Sequence, residues 1–293
     1  MTDATITPPT RRKPAPAWVT TLREALRYRR TRIGVTITAA ILLLVVLGPF
    51  FAPYPPSEFV GKPFMKPDGN FLLGTDFRGR DVLSRLLYGG WPVVWMSLGA
   101  ATVGMVLGTT VALVAAYFRG WVDEVLMRVM DVFLSIPMIL FVLLFVSLIG
   151  TKEWLIVLLV GISHMPQVAR IARGVAMDVT RREFVEYAEA LNVPRHRIMF
   201  GEVLPNIMTP LFVEFGIRIV WSIAGIAALS VMGYGIQPPL ADWGLMINEN
   251  RGRLTSRPWP VLAPGLCIAI FAVGINLVAE GISGTVSGSN RKG

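Results

Sequence analysis

Four stretches of this chain carry no charged residue for longer than a soluble helix can afford: 33–52, 91–118, 132–150 and 261–279. Crossing about 30 Å of hydrocarbon at ~1.5 Å per residue takes about 20 mostly apolar residues. Each stretch is therefore a membrane helix or most of one. Two further stretches are apolar but marked: 207–232 holds Glu214 and Arg218, and 154–169 is shorter and runs into Arg170 and Arg173, which can snorkel to the surface. Together they predict an all-α membrane protein with six spans. Residues 33–52 are too long for the apolar part of a secretory signal, and hydrophilic sequence precedes them, so the first span is read as retained.

Lysine and arginine set the orientation. With six spans both termini share one side. That side holds the leader, the connection at 119–131, the 170–206 loop and the tail, with 18 of the 28 cationic residues; the other side holds 9, and Arg218 is within a span. Both termini and the 170–206 loop are expected to be cytoplasmic, in a multi-pass membrane protein. The net charge of +9 then follows from topology and attraction to anionic lipid, without any nucleic acid. Cys267 is alone, which excludes a disulfide framework, and His164 and His196 have no paired ligand, so no metal site is expected. His164 is read as a polar group at a span end. No nucleophile–base pair stands out and no Gly-x-x-x-x-Gly-Lys-Ser/Thr run is present, so the chain reads as neither an enzyme nor a nucleotide binder by that motif.

The expected organisation is a basic leader, 1–32, with a surface helix over 18–32, then a membrane domain, 33–282, and a tail, 283–293. The connecting segments of interest are 53–90 and 233–260 on the outer side and 170–206 on the inner. In 73–89, Val82, Leu83, Leu86 and Leu87 share a helical face, with Arg80, Asp81, Ser84 and Arg85 turned away and Thr75 or Asp76 as a helix start. This predicts an amphipathic helix at the membrane surface. Gly104 and Gly108 suit a close helix approach. Pro137, Pro166 and Pro210 sit inside spans and predict kinks. Trp243 and Trp259 suit a membrane interface.

The segment 180–206 is a polar, helix-forming insertion between two spans. Phe184, Ala188 and Leu191 are spaced as one apolar face, with Glu183, Glu186 and Glu189 beside it. Asn192 and Pro194 stop the helix, and a second short helix runs from Arg195 toward Leu204-Pro205. It is either a docking element or a solvated loop. Within the fifth span Glu214 and Arg218 stand at i, i+4 and can pair. They are either a polar patch on a translocation path or an internal structural pair.

These pieces, in this order, resemble the permeases of ABC importers. The similar stretches are 73–89, 117–131 with Pro137, 182–206, the run Gly233-Tyr234-Gly235-Ile236-Gln237-Pro238-Pro239 with 242–246, and Pro258-Trp259, Pro264-Gly265, Asn276-Leu277 and Gly281. The resemblance spans roughly 30–282 and is to the dipeptide/oligopeptide/nickel branch, in particular its second permease subunit. It implies a MetI-like type I importer permease fold and alternating access. The partners would be a homologous second permease, two ATPase subunits carrying ATP and Mg, and an external substrate-binding protein. It places the ATPase-coupling loop on Glu183, Glu186, Tyr187, Ala188, Glu189, Asn192, Leu204 and Pro205, and makes Asp76, Arg80, Asp81, Gln237 and Trp243 candidates for contact with an external partner. Two positions depart from the family pattern: Asn192 replaces a glycine and must take positive φ, and Tyr187 replaces an alanine. Peptide is the first substrate expectation, with nickel or oligosaccharide as others and a self-sufficient secondary transporter as the competing class.

Overall fold

The computed structural model describes residues 24–289, and these are helical apart from connecting segments and one isolated bridge between Thr75 and Asp81. The leader expected over 1–32 lies mostly outside the described residues, as does the end of the tail. The elements are α1 (Arg29–Phe51), α2 (Val82–Tyr88), α3 (Gly90–Phe118), α4 (Gly120–Ser135), α5 (Met138–Ile149), α6 (Glu153–Val179), α7 (Glu183–Ala190), α8 (Leu204–Val231), α9 (Trp243–Asn250) and α10 (Trp259–Ser289). Among the described residues five helical segments are long and apolar enough to cross a membrane, or six if the bent pair α4–α5 is one broken span.

The third span is where expectation and structure part. Residues 132–150 were expected as one kinked helix, and the connection before them as a loop. Instead 120–135 is helical, and α4 and α5 meet at 80°. Ile136 has φ −97° and ψ 119°, an extended conformation. A proline disfavours the α region for the residue before it, and here Ile136 leaves that region, so α4 ends and α5 starts afresh after Pro137. The fourth span is longer than its apolar stretch. Arg170 and Arg173 pair with Asp131 and Asp123 of α4, which lets α6 continue past the bilayer-apolar part.

The bundle is built on the pair α3–α6. A Cβ on Gly104 would lie 2.7 Å from the Cβ of His164, and one on Gly108 2.6 Å from the Cβ of Val168. On the other side, a Cβ on Gly161 would lie 2.6 Å from the Cβ of Val103 and 2.9 Å from the carbonyl oxygen of Ala100. Glycine on both helices lets the backbones nearly touch, as the small-residue spacing predicts. α1 lies against α10 by the same means, with Gly34 packed on Gly274 and Leu277. It ends where Ala52 precedes Pro53, and Ala52 is extended.

Among the described residues four apolar clusters fill the interior, the smallest of them Met130 with Met165 and Ala169; the other three place the ends of the bundle. One joins Ala112, Leu113 and Ala116 of α3 and Ala176 and Val179 of α6 to Val185 of α7. A central one holds Met96, Val142, Ile156, Val160 and Ile226. The third packs Val45, Val82, Leu86, Val93, Ile223 and Phe271 around Trp243. The first and third lie at opposite ends of the bundle, called below the α7 end and the α9 end.

Candidate functional site

At the α7 end the 180–206 segment forms a helical hairpin. Glu183 and Glu186 lie in the first turn of α7, where carboxylates complement the helix dipole. The helix stops in a Schellman arrangement: Asn192 N–H donates to the carbonyl of Glu189 at 2.9 Å, and Val193 N–H to that of Ala188 at 3.1 Å. Asn192 has φ +55°, so asparagine does take the conformation for which a glycine would be usual. Pro194 follows and cannot continue the helix.

The apolar face differs from the one expected. Val185 is the buried residue of α7, packed with Ile198, and Ala188 is half-buried. Phe184 and Leu191, expected to share that face, are exposed, and Tyr187 is 69% exposed. They form an apolar stripe turned away from the bundle, with Glu183, Glu186 and Glu189 exposed beside it. Short helices turn their few inward positions toward whatever anchors them, and here that is the root of α8, which the sequence pattern of α7 alone does not contain.

The second helix of the hairpin is not separate either. A helical turn at Arg195–Arg197 passes through a π-helical stretch, Ile198–Val203, directly into α8. Pro205 explains the widening: its ring would crowd the carbonyl of Gly201 four residues back, and it has no N–H to offer that carbonyl. Leu204 is half-buried and Pro205 is exposed.

In the middle of the bundle, Arg218 Nε lies 2.7 Å from Glu214 Oε1, and both side chains are buried. One turn further along α8, Ser222 Oγ stands 3.0 Å from His164 Nε2 of α6. His164 is thus mid-helix and buried, not at a span end as the sequence suggested.

The α9 end holds a buried ring of charges that joins two segments far apart in sequence. Arg80 Nε donates to Asp76 Oδ2 at 2.7 Å, and its Nη2 donates to Glu249 Oε2 at 2.8 Å. Arg85 Nη1 donates to the same two oxygens, at 2.7 and 2.6 Å. Asp76 Oδ1 also accepts from the backbone N–H of Arg78 and Arg80. Asp81, rather than Thr75 or Asp76, caps α2, accepting from the backbone N–H of Ser84 at 2.8 Å. Asn250 Oδ1 accepts from Phe77 N–H, and Trp243 Nε1 donates to the carbonyl of Leu86 at 2.8 Å.

Of the five residues expected to meet an external partner, Asp76, Arg80, Asp81 and Trp243 are therefore interior; Gln237 is exposed. α2 is not a membrane-surface helix, because its polar face is as buried as its apolar one. Glu249 and Asn250 were not singled out from sequence, and Arg85 was named only as part of the outward polar face of the 73–89 helix. Glu249 stands 169 residues from Arg80, and no local pattern signals such a pairing. Asp242 caps α9 through Leu245 N–H at 2.8 Å, and burial pushes its carboxyl up to about 6. Among the described residues no group of three or more His, Cys, Asp or Glu is placed to hold a metal ion.

Comparison with known proteins bears on all of this. Residues 104–287 match the family model of the binding-protein-dependent transport system inner membrane component. The chain is 32% identical to a putative peptide transport system permease protein of Brucella abortus, over 90% of this chain and 89% of that one. It is 31% identical to the glutathione transport system permease protein of Pectobacterium atrosepticum, over 87% of each. It is also 31% identical to the di/tripeptide transport system permease protein of Pseudomonas aeruginosa, over 85% of this chain and 84% of that one. Among solved structures, an inward-facing conformation of the MetNI methionine ABC transporter superimposes with a TM-score of 0.55 at 17% identity, over 68% of this chain and 95% of that one.

Proposed function

The chain belongs to the family of binding-protein-dependent inner membrane components and has the type I importer permease fold, and from that we propose that it is one of two pore-forming permeases of an ATP-driven peptide importer. The other partners are a homologous second permease, two ATPase subunits that carry ATP and Mg, and an external substrate-binding protein. The α7 end faces the cytoplasm, with both termini, on the strength of the cation asymmetry. Peptide is favoured over nickel or oligosaccharide because the relatives above are peptide, di/tripeptide and glutathione permeases by name.

The observation that carries the reading is the α7 hairpin. A helix that stands clear of the bundle, shows Phe184, Tyr187 and Leu191 to solvent among three glutamates, and is rooted by Val185 and Ile198 on α3, α6 and α8 suits an ATPase docking knob. An exposed aromatic in a polar rim is the usual composition of an interface anchor. Tyr187 fills a larger share of the contact than the alanine usual there, so its ATPase should offer a matching recess. The burial of Glu214 and Arg218 supports the internal-pair reading over a place on the translocation path.

The test is purification of the complex in mild detergent, followed by reconstitution. Co-purified ATPases and sister permease, with peptide uptake that requires ATP, are expected. Tyr187→Ala with Glu186→Lys should leave the four subunits assembling poorly or hydrolysing ATP without uptake. Uptake by the chain alone, without ATP, would refute the reading and establish a secondary transporter.

A further inference from the structure

We propose, resting on the permease function proposed above, that Arg119 is a positioning residue for transport. At the junction of α3 and α4 it latches the entry leg of the α7 hairpin, and so sets the angle at which the hairpin meets its ATPase. Arg119 has φ +52° and ψ −167°, next to the region that glycine alone enters readily. Gly120 follows with φ +55°, so the chain turns from α3 into α4 on two consecutive positive angles. A turn alone would be served better by a second glycine, which has no Cβ to strain. What arginine adds is its side chain: Nη2 donates to Thr180 Oγ1 at 3.2 Å.

Thr180 is where α6 ends and the hairpin leaves the bundle. It is buried, and its hydroxyl donates to the carbonyl of Met177 at 3.1 Å, with the carbonyl of Ala116 on α3 at 3.4 Å. That hydroxyl therefore joins the end of α3 to the end of α6, and the Arg119 guanidinium closes the link. The two residues before Arg119 hold the exit leg of the hairpin. Tyr117 O–H donates to the carboxylate of Glu189. The Arg195 guanidinium lies 5.4 Å from the centre of the Phe118 ring. Tyr117, Phe118 and Arg119 thus grip both legs from one short stretch of chain.

The apolar root of the hairpin does not by itself set an angle. Val185 and Ile198 are buried against Ala112, Ala116 and Ala176, and apolar burial is non-directional: it fixes how deep the root sits, not how it is turned. A cavity of about 460 Å³ lies beside the exit leg, lined by Tyr117, Phe118, Glu189 and 192–195, so the hairpin has room to rock about its root. Hydrogen bonds are directional and supply what the root lacks. Arg119 is not part of the exposed stripe of Phe184, Tyr187 and Leu191; it acts on the orientation of that stripe through Thr180.

The experiment uses the full complex in proteoliposomes, with the binding protein that co-purifies with it. Melting temperature, ATP hydrolysis and uptake are read together, the uptake with peptides of a casein digest counted inside the vesicles by mass spectrometry. Arg119→Gly should keep its melting temperature, since relieved strain offsets the lost bond, and should hydrolyse ATP at the wild-type rate. Its peptide uptake per ATP should fall about tenfold, the size expected for one charge-assisted hydrogen bond. Thr180→Val, which removes the hydroxyl and keeps the outline of the side chain, should do the same. The double variant should be no worse than either single, because both break one link. Arg119→Lys keeps a cationic donor and should restore most of the uptake. Wild-type uptake per ATP in Arg119→Gly overturns the latch and leaves the importer reading standing. A melting temperature that falls in step with hydrolysis and uptake also overturns it, and makes Arg119 an ordinary helix end. A wild-type complex with no ATP-dependent uptake of any peptide sinks the importer reading and the latch together.

Discussion

Replacing Glu249 by glutamine should loosen the α9 end by opening one side of its charge ring. Glu249 Oε2 accepts from Arg80 at 2.8 Å and from Arg85 at 2.6 Å, and all four side chains of the ring are at most 8% exposed. Two guanidinium groups would then share Asp76 alone, one positive charge in excess. Removing one member of a buried pair costs about 3–5 kcal/mol. Asp76 still neutralises part of the excess, and glutamine keeps an acceptor oxygen, so about 3 kcal/mol is the expected loss. At ~1.4 kcal/mol per factor of ten, the backbone amides that rely on this ring should exchange on the order of 100-fold faster. The amides to follow are those of Phe77, Arg78 and Arg80, which donate to Asn250 Oδ1 and Asp76 Oδ1. The decisive control is charge balance. Arg80→Gln alone should cost a similar amount, part of it from the contact of its guanidinium with the Phe77 ring. With both changes, Arg85 and Asp76 remain as a neutral pair, so the double variant should lose about 2 kcal/mol less than the sum of the singles. The ring-stacking loss appears in the single and the double alike and cancels. Hydrogen exchange of the purified complex measures all three. Additive costs, or wild-type exchange in Glu249→Gln, would refute the claim that the ring is electrostatically coupled.

Three further outcomes follow from the packing. Gly161→Val should abolish recovery of a folded complex, because even its Cβ would lie 2.6 Å from that of Val103 on a facing helix; yield of monodisperse complex on gel filtration reads this out. Asp242→Asn should remove a pH dependence of the α9 end. Burial raises this carboxyl from its ordinary 3.8 to about 6, so the folded chain holds the proton more tightly, and stability is highest below about 4 and falls as pH rises to about 6. Asparagine caps a helix as well as aspartate does, so the variant should match wild type at pH 4 and be the more stable at pH 8 in thermal melts. Arg218→Leu should cost several kcal/mol by leaving Glu214 buried without its ion-pair partner, and adding Glu214→Gln should restore both yield and uptake. A double variant that folds but does not transport would instead put the pair on the translocation path.

What could be read from sequence was whatever repeats locally. Charge-free length marked the spans, glycine spacing marked the α3–α6 contact, and Asn192 before Pro194 marked the end of α7, down to its positive φ. What could not be read depended on a partner distant in the chain. α2 looks amphipathic because Arg80, Asp81, Ser84 and Arg85 share a side, and amphipathic helices usually face water with that side. Here Glu249 and Asp76 receive the arginines, and the polar face is interior. The same reason moved four of the five expected external contacts inside. α7 failed in the opposite sense: Phe184 and Leu191 look like core, yet the core reaches this helix only at Val185 and Ala188, through Ile198 on the following segment. Pro137 was legible as a proline but not as an 80° break, since the break depends on what the chain does with Ile136.

The two ends of the bundle are linked by its most closely packed helix pair. α3 and α6 run for 29 and 27 residues, about 40 Å each, with Gly104, Gly108 and Gly161 letting the two backbones approach closely. At the glycines a sliding motion would drive backbone into the facing Val103, His164 and Val168, so the contact resists shear. Val185 and Ile198 fix the α7 hairpin to the α7 end of this pair, alongside Ala112, Ala116 and Ala176. At the other end Gly89 and Gly90, immediately before and within the first turn of α3, pack against Trp243, whose backbone N–H donates to the carbonyl of Gly89 at 3.2 Å. This continuous packing offers a route by which a displacement imposed on α7 would be passed to the Trp243 cluster. The compliant points lie elsewhere: at the α4–α5 break, where 80° is spanned by two residues, and at the π-helical stretch before Pro205. Stiffening the break by Pro137→Ala should favour a continuous third helix and slow uptake while leaving the α3–α6 contact and subunit assembly intact. Uptake at the wild-type rate in that variant would mean that the bend is a static feature of the fold and that motion is taken up at the root of α8.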